Sequence, residues 1–215
     1  MRKKVLGVLV SGRGSNLQAI VDAINSDRIV AKIGVVISDN PDANALRRVA
    51  GLDIPTAVVE RRKYATQAEF ELAIIAQLDL HHVELVLLAG FMRILSPQFI
   101  NRFPSRIMNI HPALLPSFPG LDAQEQAIRY GVKVSGATVH FVDEGMDSGP
   151  IILQEAVPVE EEDTVATLSE RILHLEHRLY VRAVRLYCED RIHMEGRTVK
   201  VLTVRQNPKE EGELH

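Results

Sequence analysis

The feature that most limits the fold is a repeated alternation: short, nearly unbroken apolar runs, each followed by apolar residues at helical spacing. KVLGVLV at 4–10 precedes a helical pattern over 16–24, with Leu17, Ile20, Val21 and Ile24 on one face. IGVVIS at 33–38 precedes a helix over 43–50, closed by Gly51. A short strand at 56–59 precedes a helix over 66–80, where Phe70, Ile74 and Leu78 fall four apart. LVLLA at 85–89 leads to Ser96-Pro97, a cap with proline in the first turn of a helix. A strand over 106–110, a helix over 122–130 and a strand over 135–142 follow. Continuous apolar runs suit parallel strands covered from both sides. Their alternation with helices predicts an α/β fold: one doubly wound, mostly parallel sheet with helices on both faces.

Asp163 or Thr164 opens a last long helix reaching about residue 190, with Val165, Leu168, Ile172, Leu175, Leu179 and Leu186 as its apolar stripe. The acidic run 160–163 reads as a solvated cap at the positive end of that helix. A hairpin over 192–204, turning near Glu195-Gly196, comes next, and residues 206–215 read as a disordered tail. With no repeat, low-complexity stretch or linker through residue 190, residues 1–205 are expected to form a single domain.

Composition narrows the function classes. A net charge of −3 argues against a duplex nucleic-acid binder but leaves room for a small anionic ligand at a local site. The single cysteine, Cys188, excludes an internal disulfide and a zinc site built on cysteine pairs. The opening MRKKVLGVLVSG imitates a secretory leader, yet its apolar part runs only from Val5 to Val10. No run approaches the roughly eighteen apolar residues of a membrane helix. A cytoplasmic protein, with no membrane or nucleic-acid partner, is the expectation.

Ligands of doubly wound sheets bind beyond the carboxyl ends of the strands, and four features are expected at that edge. SGRGSNL at 11–17 joins the first strand to the first helix. Its glycines allow a tight turn and close approach, and Ser15 and Asn16 open a helix whose exposed N–H groups favour an anion such as phosphate. The dinucleotide fingerprint fails because Leu17 takes the place of its third glycine, and the Walker pattern fails at Arg13-Gly14. The loop alone fits equally well a glycine-rich turn with a Ser/Asn cap. In RIMNIHP, residues two apart share a face, so Asn109 and His111 point one way and Met108 and Ile110 the other. An amide donor beside an imidazole resembles an oxyanion site. DEGMDSGP at 143–150 is a turn whose Asp147 could reach His111 and favour its charged form. LAGFMRILSP at 88–97 strands Phe91, Met92, Ile94 and Leu95 in a connection, where they could line a slot for a flat aromatic ligand; packing explains Ile94 and Leu95 equally well. There is no GxSxG or HExxH motif, and His174 and His177 lack an evident third metal ligand. No metal is expected.

Taken together and in this order, SGRGSNLQAI, LAGFMRILSP, NIHPALLPSFPG and HFVDEGMDSGP closely resemble the phosphoribosylglycinamide formyltransferases of purine biosynthesis, over residues 4–190. That resemblance implies a formyltransferase-type Rossmann-like fold. It also implies formyl transfer from 10-formyltetrahydrofolate, a cosubstrate and not a permanently bound cofactor, to the amine of glycinamide ribonucleotide. It places Asn109, His111 and Asp147 in the catalytic trio and Gly14, Ser15 and Asn16 on the substrate phosphate. Glu176 falls on the ribonucleotide. Met92, Arg93, Ile94 and Leu95 fall on the folate with Asn109, and the segment His140, Phe141, Val142, Asp143 to Asp147 closes over the pterin. Ala113 stands where many relatives have serine, and Asp122-Ala123 where some have His-Thr. Gln67 stands where relatives place a basic residue on the folate, with Arg61, Arg62 and Lys63 as nearby replacements. A monomer or homodimer is expected. The rival readings are a formyltetrahydrofolate hydrolase, which usually carries an added N-terminal domain, and a nucleotide-binding module without catalysis. A methionyl-tRNA formyltransferase would need a basic C-terminal domain, for which residues 191–215 are too few.

Overall fold

The computed structural model describes residues 2–202; the expected tail at 206–215 and the last residues of the expected hairpin, 203–204, lie outside them. The chain runs β1 (Lys4–Val10), α1 (Ser15–Asn25), β2 (Ala31–Ser38), α2 (Asn44–Val49), β3 (Thr56–Val58), a 3₁₀ turn (Arg61–Lys63) and α3 (Gln67–Leu80). It continues through β4 (Leu85–Leu88), α4 (Pro97–Arg102), β5 (Ile107–His111), α5 (Ala123–Tyr130), β6 (Val134–Phe141) and β7 (Ile151–Pro158). The long helix α6 (Val165–Cys188) and the hairpin β8 (Ile192–Glu195) and β9 (Thr198–Val201) complete it. Seven strands form one sheet in the order β3-β2-β1-β4-β5-β6-β7. β3, β2, β1, β4 and β5 are parallel, whereas β6 runs antiparallel to β5 and β7 antiparallel to β6.

Strand alternation feeds two cores. Leu6, Val8, Val10, Leu85, Leu87, Met108 and Ile110 turn to the face covered by α1, α2, α5 and α6. Leu9, Val35, Ile37, Val86, Leu88 and Ile107 turn to the face of α3 and α4, against Phe70, Ile74, Leu78 and Phe99. Both faces of the central strands are therefore dry, which is why those strands read as unbroken apolar runs. Thr66 and Ser96 cap α3 and α4, their side chains accepting from Glu69 N and Phe99 N. Buried Glu71 adds a second hold on α4 by accepting from Ser96 N at 2.8 Å and from the Ser96 hydroxyl.

α6 spans the first face. Leu168, Ile172, Leu175, Leu179 and Leu186 are buried as its spacing predicts, but Val165 at the first turn is 40% exposed. Thr164 caps the helix reciprocally with Thr167. Asp163 corrects the expectation of a merely solvated acidic cap. Its carboxylate binds Arg171 through both oxygens at 2.5 and 2.9 Å and also accepts from Glu160 N and the Thr167 hydroxyl. The Arg171 guanidinium holds that carboxyl well below the usual range. Deep under α6, the fully buried Tyr180 hydroxyl reaches Met108 O at 2.9 Å and Leu88 O at 3.1 Å, carbonyls of the adjacent strands β5 and β4.

Two findings were absent from the sequence reading. β7 was not anticipated because IILQEAVP is an edge strand in which only Ile152 is buried, so it shows no clean apolar period. The direction of β6 was also not foreseen. Its carboxyl end lies level with Met108 of β5, since Asn109 pairs with His140 and Met108 with Phe141. The loop after β6 therefore starts below the carboxyl edge of the parallel strands and must climb back to reach it.

Candidate active site

The first connection turns at Gly14, whose φ of 71° is left-handed. A Cβ there would stand 2.6 Å from Cα and Cβ of Ala45 in α2, so both backbone freedom and close packing require glycine. Gly12 has neither constraint, with nothing within 4 Å of a notional Cβ, which corrects its expected role in the turn. Gly14 is also the N-cap of α1, and among the described residues no side chain caps that helix. The N–H groups of the first turn are left for a ligand, with the helix dipole behind them. Ser15 is half-buried beside them, but the Asn16 side chain turns inward and donates to Glu176 Oε2 at 2.8 Å. Its Oδ1 is buried without a partner. Burial pushes the Glu176 carboxyl up to about 7, against the opposing pull of the Asn16 amide and the Arg13 charge.

Beside this helix end lies a hollow of about 560 Å³ lined by Arg13, Ser15, Asn44, Arg47, Arg48 and Leu173. Among the described residues none of its three arginines forms an ion pair; Arg48 donates only to the Arg13 carbonyl, at 2.7 Å. His177 lies near Arg48, its proton affinity lowered by burial first and then by the neighbouring His174 and Arg48. The sequence reading missed these arginines. Arg13 was visible inside the loop, but Arg47 and Arg48 join it only because α2 docks on the loop, where Ala45 N donates to Gly12 O at 3.0 Å.

Asn109 and His111 share the α3/α4 face of β5, as their spacing predicts, and Asp147 meets both. Asp147 Oδ2 is 3.4 Å from His111 Nδ1 and accepts from Gly120 N at 2.8 Å. Asp147 Oδ1 is 3.5 Å from Asn109 Nδ2. The other ring nitrogen, His111 Nε2, is 2.8 Å from the Phe118 carbonyl, an obligate acceptor, so Nε2 carries a proton and Nδ1 is the atom left to face the carboxylate. Asp147 holds this place with a left-handed φ of 50°, an uncommon conformation for a residue with a side chain.

His140 stands directly across from Asn109 in the ladder. Its Nδ1 lies 2.9 Å from the Phe141 carbonyl and must donate, which leaves Nε2 to accept from Asn109 Nδ2 at 3.2 Å. Burial lowers the proton affinity of this ring, in keeping with that neutral form. Phe141, expected at the folate, instead turns to the opposite face: its ring is buried and packs edge-on with Tyr187 of α6 at 6.5 Å. Strand alternation explains this, because His140 already occupies the cleft side. Val142 packs against the α3/α4 core. Asp143 folds back on its own turn, Oδ1 accepting from Gly145 N and the Ser148 hydroxyl.

Across the cleft, Met92 and Ile94 are 67% and 70% exposed, whereas Phe91 and Leu95 are buried in the α3/α4 core. Packing thus accounts for Phe91 and Leu95, and Ile94 is left free to meet a ligand. The backbone of Met92 is held by the Ser11 hydroxyl at 3.0 Å, and Gln67 reaches the Ile94 carbonyl at 3.1 Å. Arg93 is bound by Asp39 at 2.5 Å and lies over the Phe70 ring. With Arg61 and Arg62 it lines a second hollow of about 340 Å³, where Glu60 pairs with Arg62 and Lys63 at 2.6 and 2.5 Å. Among the described residues there is no group of three His, Cys, Asp or Glu side chains able to hold a metal ion, and no helix long and apolar enough to cross a membrane.

This mostly parallel sheet, with an uncapped helix end and an Asn-His-Asp cluster at its edge, agrees with the family comparison. Residues 3–184 match the formyl transferase family, and the chain belongs to it. It is 46% identical over 182 residues to phosphoribosylglycinamide formyltransferase of Bacillus subtilis, covering 85% of this chain and 93% of that one. It is 44% identical over 205 residues to the human trifunctional purine biosynthetic protein adenosine-3, covering 95% of this chain and 20% of that longer protein. The crystal structure of glycinamide ribonucleotide transformylase 1 from Symbiobacterium toebii superposes with a TM-score of 0.91 at 49% identity, covering 93% of this chain and 94% of that one. A formyltetrahydrofolate deformylase from Pseudomonas syringae is also similar, with a TM-score of 0.87 at 30% identity, covering 94% of this chain and 66% of the other.

Proposed function

We propose that the chain transfers the formyl group of 10-formyltetrahydrofolate to the primary amine of glycinamide ribonucleotide, yielding formylglycinamide ribonucleotide and tetrahydrofolate in purine biosynthesis. The observation that carries this reading is the meeting of Asn109, His111 and Asp147 at the edge of a sheet whose first strand leads to an uncapped helix end beside Glu176. The phosphate of the ribonucleotide takes the N–H groups at Gly14, Ser15 and Asn16, with the unpaired arginines supplying counter-charge. Buried Glu176 meets the rest of the ribonucleotide. The folate lies against Met92, Arg93 and Ile94, across from Asn109, His140 and Asp147.

Attack of the amine on the formyl carbon builds a tetrahedral centre with a negative oxygen and a positive nitrogen. Asn109 Nδ2 now serves His140 and Asp147 through long contacts of 3.2 and 3.5 Å, which a developing oxyanion would replace with a shorter, charge-assisted bond. One such donor is worth about 3 kcal/mol, a hundredfold or more in rate. With Nε2 fixed on the Phe118 carbonyl, His111 gives its mobile Nδ1 proton to the folate nitrogen as the tetrahedral centre collapses and the bond from that nitrogen to the formyl carbon breaks; the proton lost by the attacking amine replaces it by way of Asp147. Asp147 steadies the imidazolium and helps carry off the amine proton. No covalent intermediate and no metal enter the scheme.

The test mixes the purified chain with both substrates and follows tetrahydrofolate and formylglycinamide ribonucleotide separately. Formation of both, dependent on the ribonucleotide, supports the transferase. Tetrahydrofolate and formate without ribonucleotide would favour the hydrolase, the reading suggested by the likeness to a deformylase. His111→Ala is expected to lower kcat by about 10²–10⁴, the range for a lost acid-base group, while ribonucleotide affinity stays within a few-fold. Full turnover in that variant removes His111 from the mechanism.

A further inference from the structure

We infer that Arg197, at the turn of the β8–β9 hairpin, is a positioning residue that holds the 143–149 loop so that Asp147 stays on His111. This assignment rests on the transferase reading for its kinetic consequence but not for its physical one. The hairpin is a separate two-stranded sheet, yet it is a firm platform. Ile192, Met194 and Val199 pack against the α6-side core, and Arg191 and Leu202 tie its base through paired bonds of 2.9 and 2.7 Å. Its tip reaches the catalytic loop. The Arg197 guanidinium donates to the Ser148 carbonyl at 2.5 Å and lies 3.8 Å from the Asp143 carboxylate.

The loop has little else to hold it. Among the described residues, no backbone–backbone hydrogen bond involves 143–149; the last ones are Val142 N to Ile107 O and Phe141 N to Pro150 O. The Asp143 contacts with Gly145 and Ser148 are internal to the loop. The remaining polar ties to other elements are those of Asp147 itself, to Gly120, Asn109 and His111. Without Arg197, the catalytic carboxylate would have to anchor its own loop while holding a left-handed backbone. Arg197 is largely exposed, so its charge pairing with Asp143 contributes little in water. The directed bond to the Ser148 carbonyl, one residue from Asp147, is the effective contact.

The experiment compares the full chain with Arg197→Ala, Arg197→Lys and Lys200→Ala; Lys200 lies on the same hairpin and, among the described residues, its side chain pairs with Glu195 alone. Two readouts are taken: amide hydrogen exchange over 143–149 and 107–111, and kcat and KM with both substrates. In Arg197→Ala, exchange over 143–149 is expected to rise about tenfold with 107–111 unchanged, and kcat to fall about tenfold with ribonucleotide KM within twofold. Arg197→Lys, which can still donate to the carbonyl, should recover a good part of both, and Lys200→Ala should match the parent. Turnover of Arg197→Ala within twofold of the parent overturns the assignment, as does an equal loss in Lys200→Ala. If the parent shows no formyl transfer but Arg197→Ala still loosens the loop selectively, the transferase reading fails while the latch itself stands.

Discussion

Two hollows flank β1, both rich in arginine, and they differ in what the arginines are doing. In the one beside α1, Arg13, Arg47 and Arg48 form no ion pairs among the described residues. In the one beyond β2 and β3, Arg93 is bound by Asp39 and Arg62 by Glu60, while Arg61 donates to the Tyr64 carbonyl. A paired cation has part of its charge already offset, whereas an unpaired one at a helix N-terminus keeps all of it for an anion. Counting arginines would rank the two alike; counting their partners separates them. The first leaves its positive charge uncompensated, whereas the second offsets part of it with Asp39 and Glu60.

The strongest way to break this contrast is to remove the free charge. Arg13→Ala with Arg48→Ala should raise ribonucleotide KM about a hundredfold with kcat nearly unchanged, taking about 3 kcal/mol as the worth of two charge-assisted contacts. A KM within threefold would mean that the helix end suffices alone.

A second test concerns Glu176, the carboxyl on which the Arg13 charge acts. Glu176 keeps its proton to about pH 7 in the folded chain, whereas an unfolded glutamate releases it near 4.3. Between those values the native state binds the extra proton, so stability falls as pH rises, and above them the penalty is complete. Denaturant unfolding at pH 5 and pH 8 should differ by up to about 3 kcal/mol from this group, and Glu176→Gln should remove most of that difference. The same pH dependence in the variant would exclude Glu176 as its source.

The smallest effect belongs to the paired hollow. Asp39→Asn releases Arg93 from a pair at the cleft rim, a contact worth about 0.2–1 kcal/mol. It should lower the KM for a formyl folate bearing anionic glutamates by about threefold and leave the ribonucleotide KM unchanged. A rise instead would show that Asp39 orients Arg93 for the ligand.

Much of this architecture was legible because burial on both faces writes itself as unbroken apolar runs, as in LVLLA, and because capping leaves local marks at Ser96-Pro97. Asn109 and His111 were legible through the two-residue period of a strand. What escaped has no local mark. Hydrophobic alternation carries no sign of direction, so β6 could not be read as antiparallel; Asp147 was placed correctly although its loop leaves from a different level than supposed. The same period, applied one residue further, would have turned Phe141 away from the cleft once His140 was put in it. Arg47, Arg48 and Arg197 depend on how distant elements dock, which no window of sequence displays.

The Tyr180 hydroxyl has a consequence for the edge of the sheet. It stands between the Leu88 and Met108 carbonyls, where β4 and β5 approach the ends of their shared ladder. A wedge of that kind, fixed under a helix and sealed from water, keeps the two strand ends at a set spacing. The separation of β4 and β5 just where the chain leaves for the 89–96 connection and for Asn109 is thereby tied to α6.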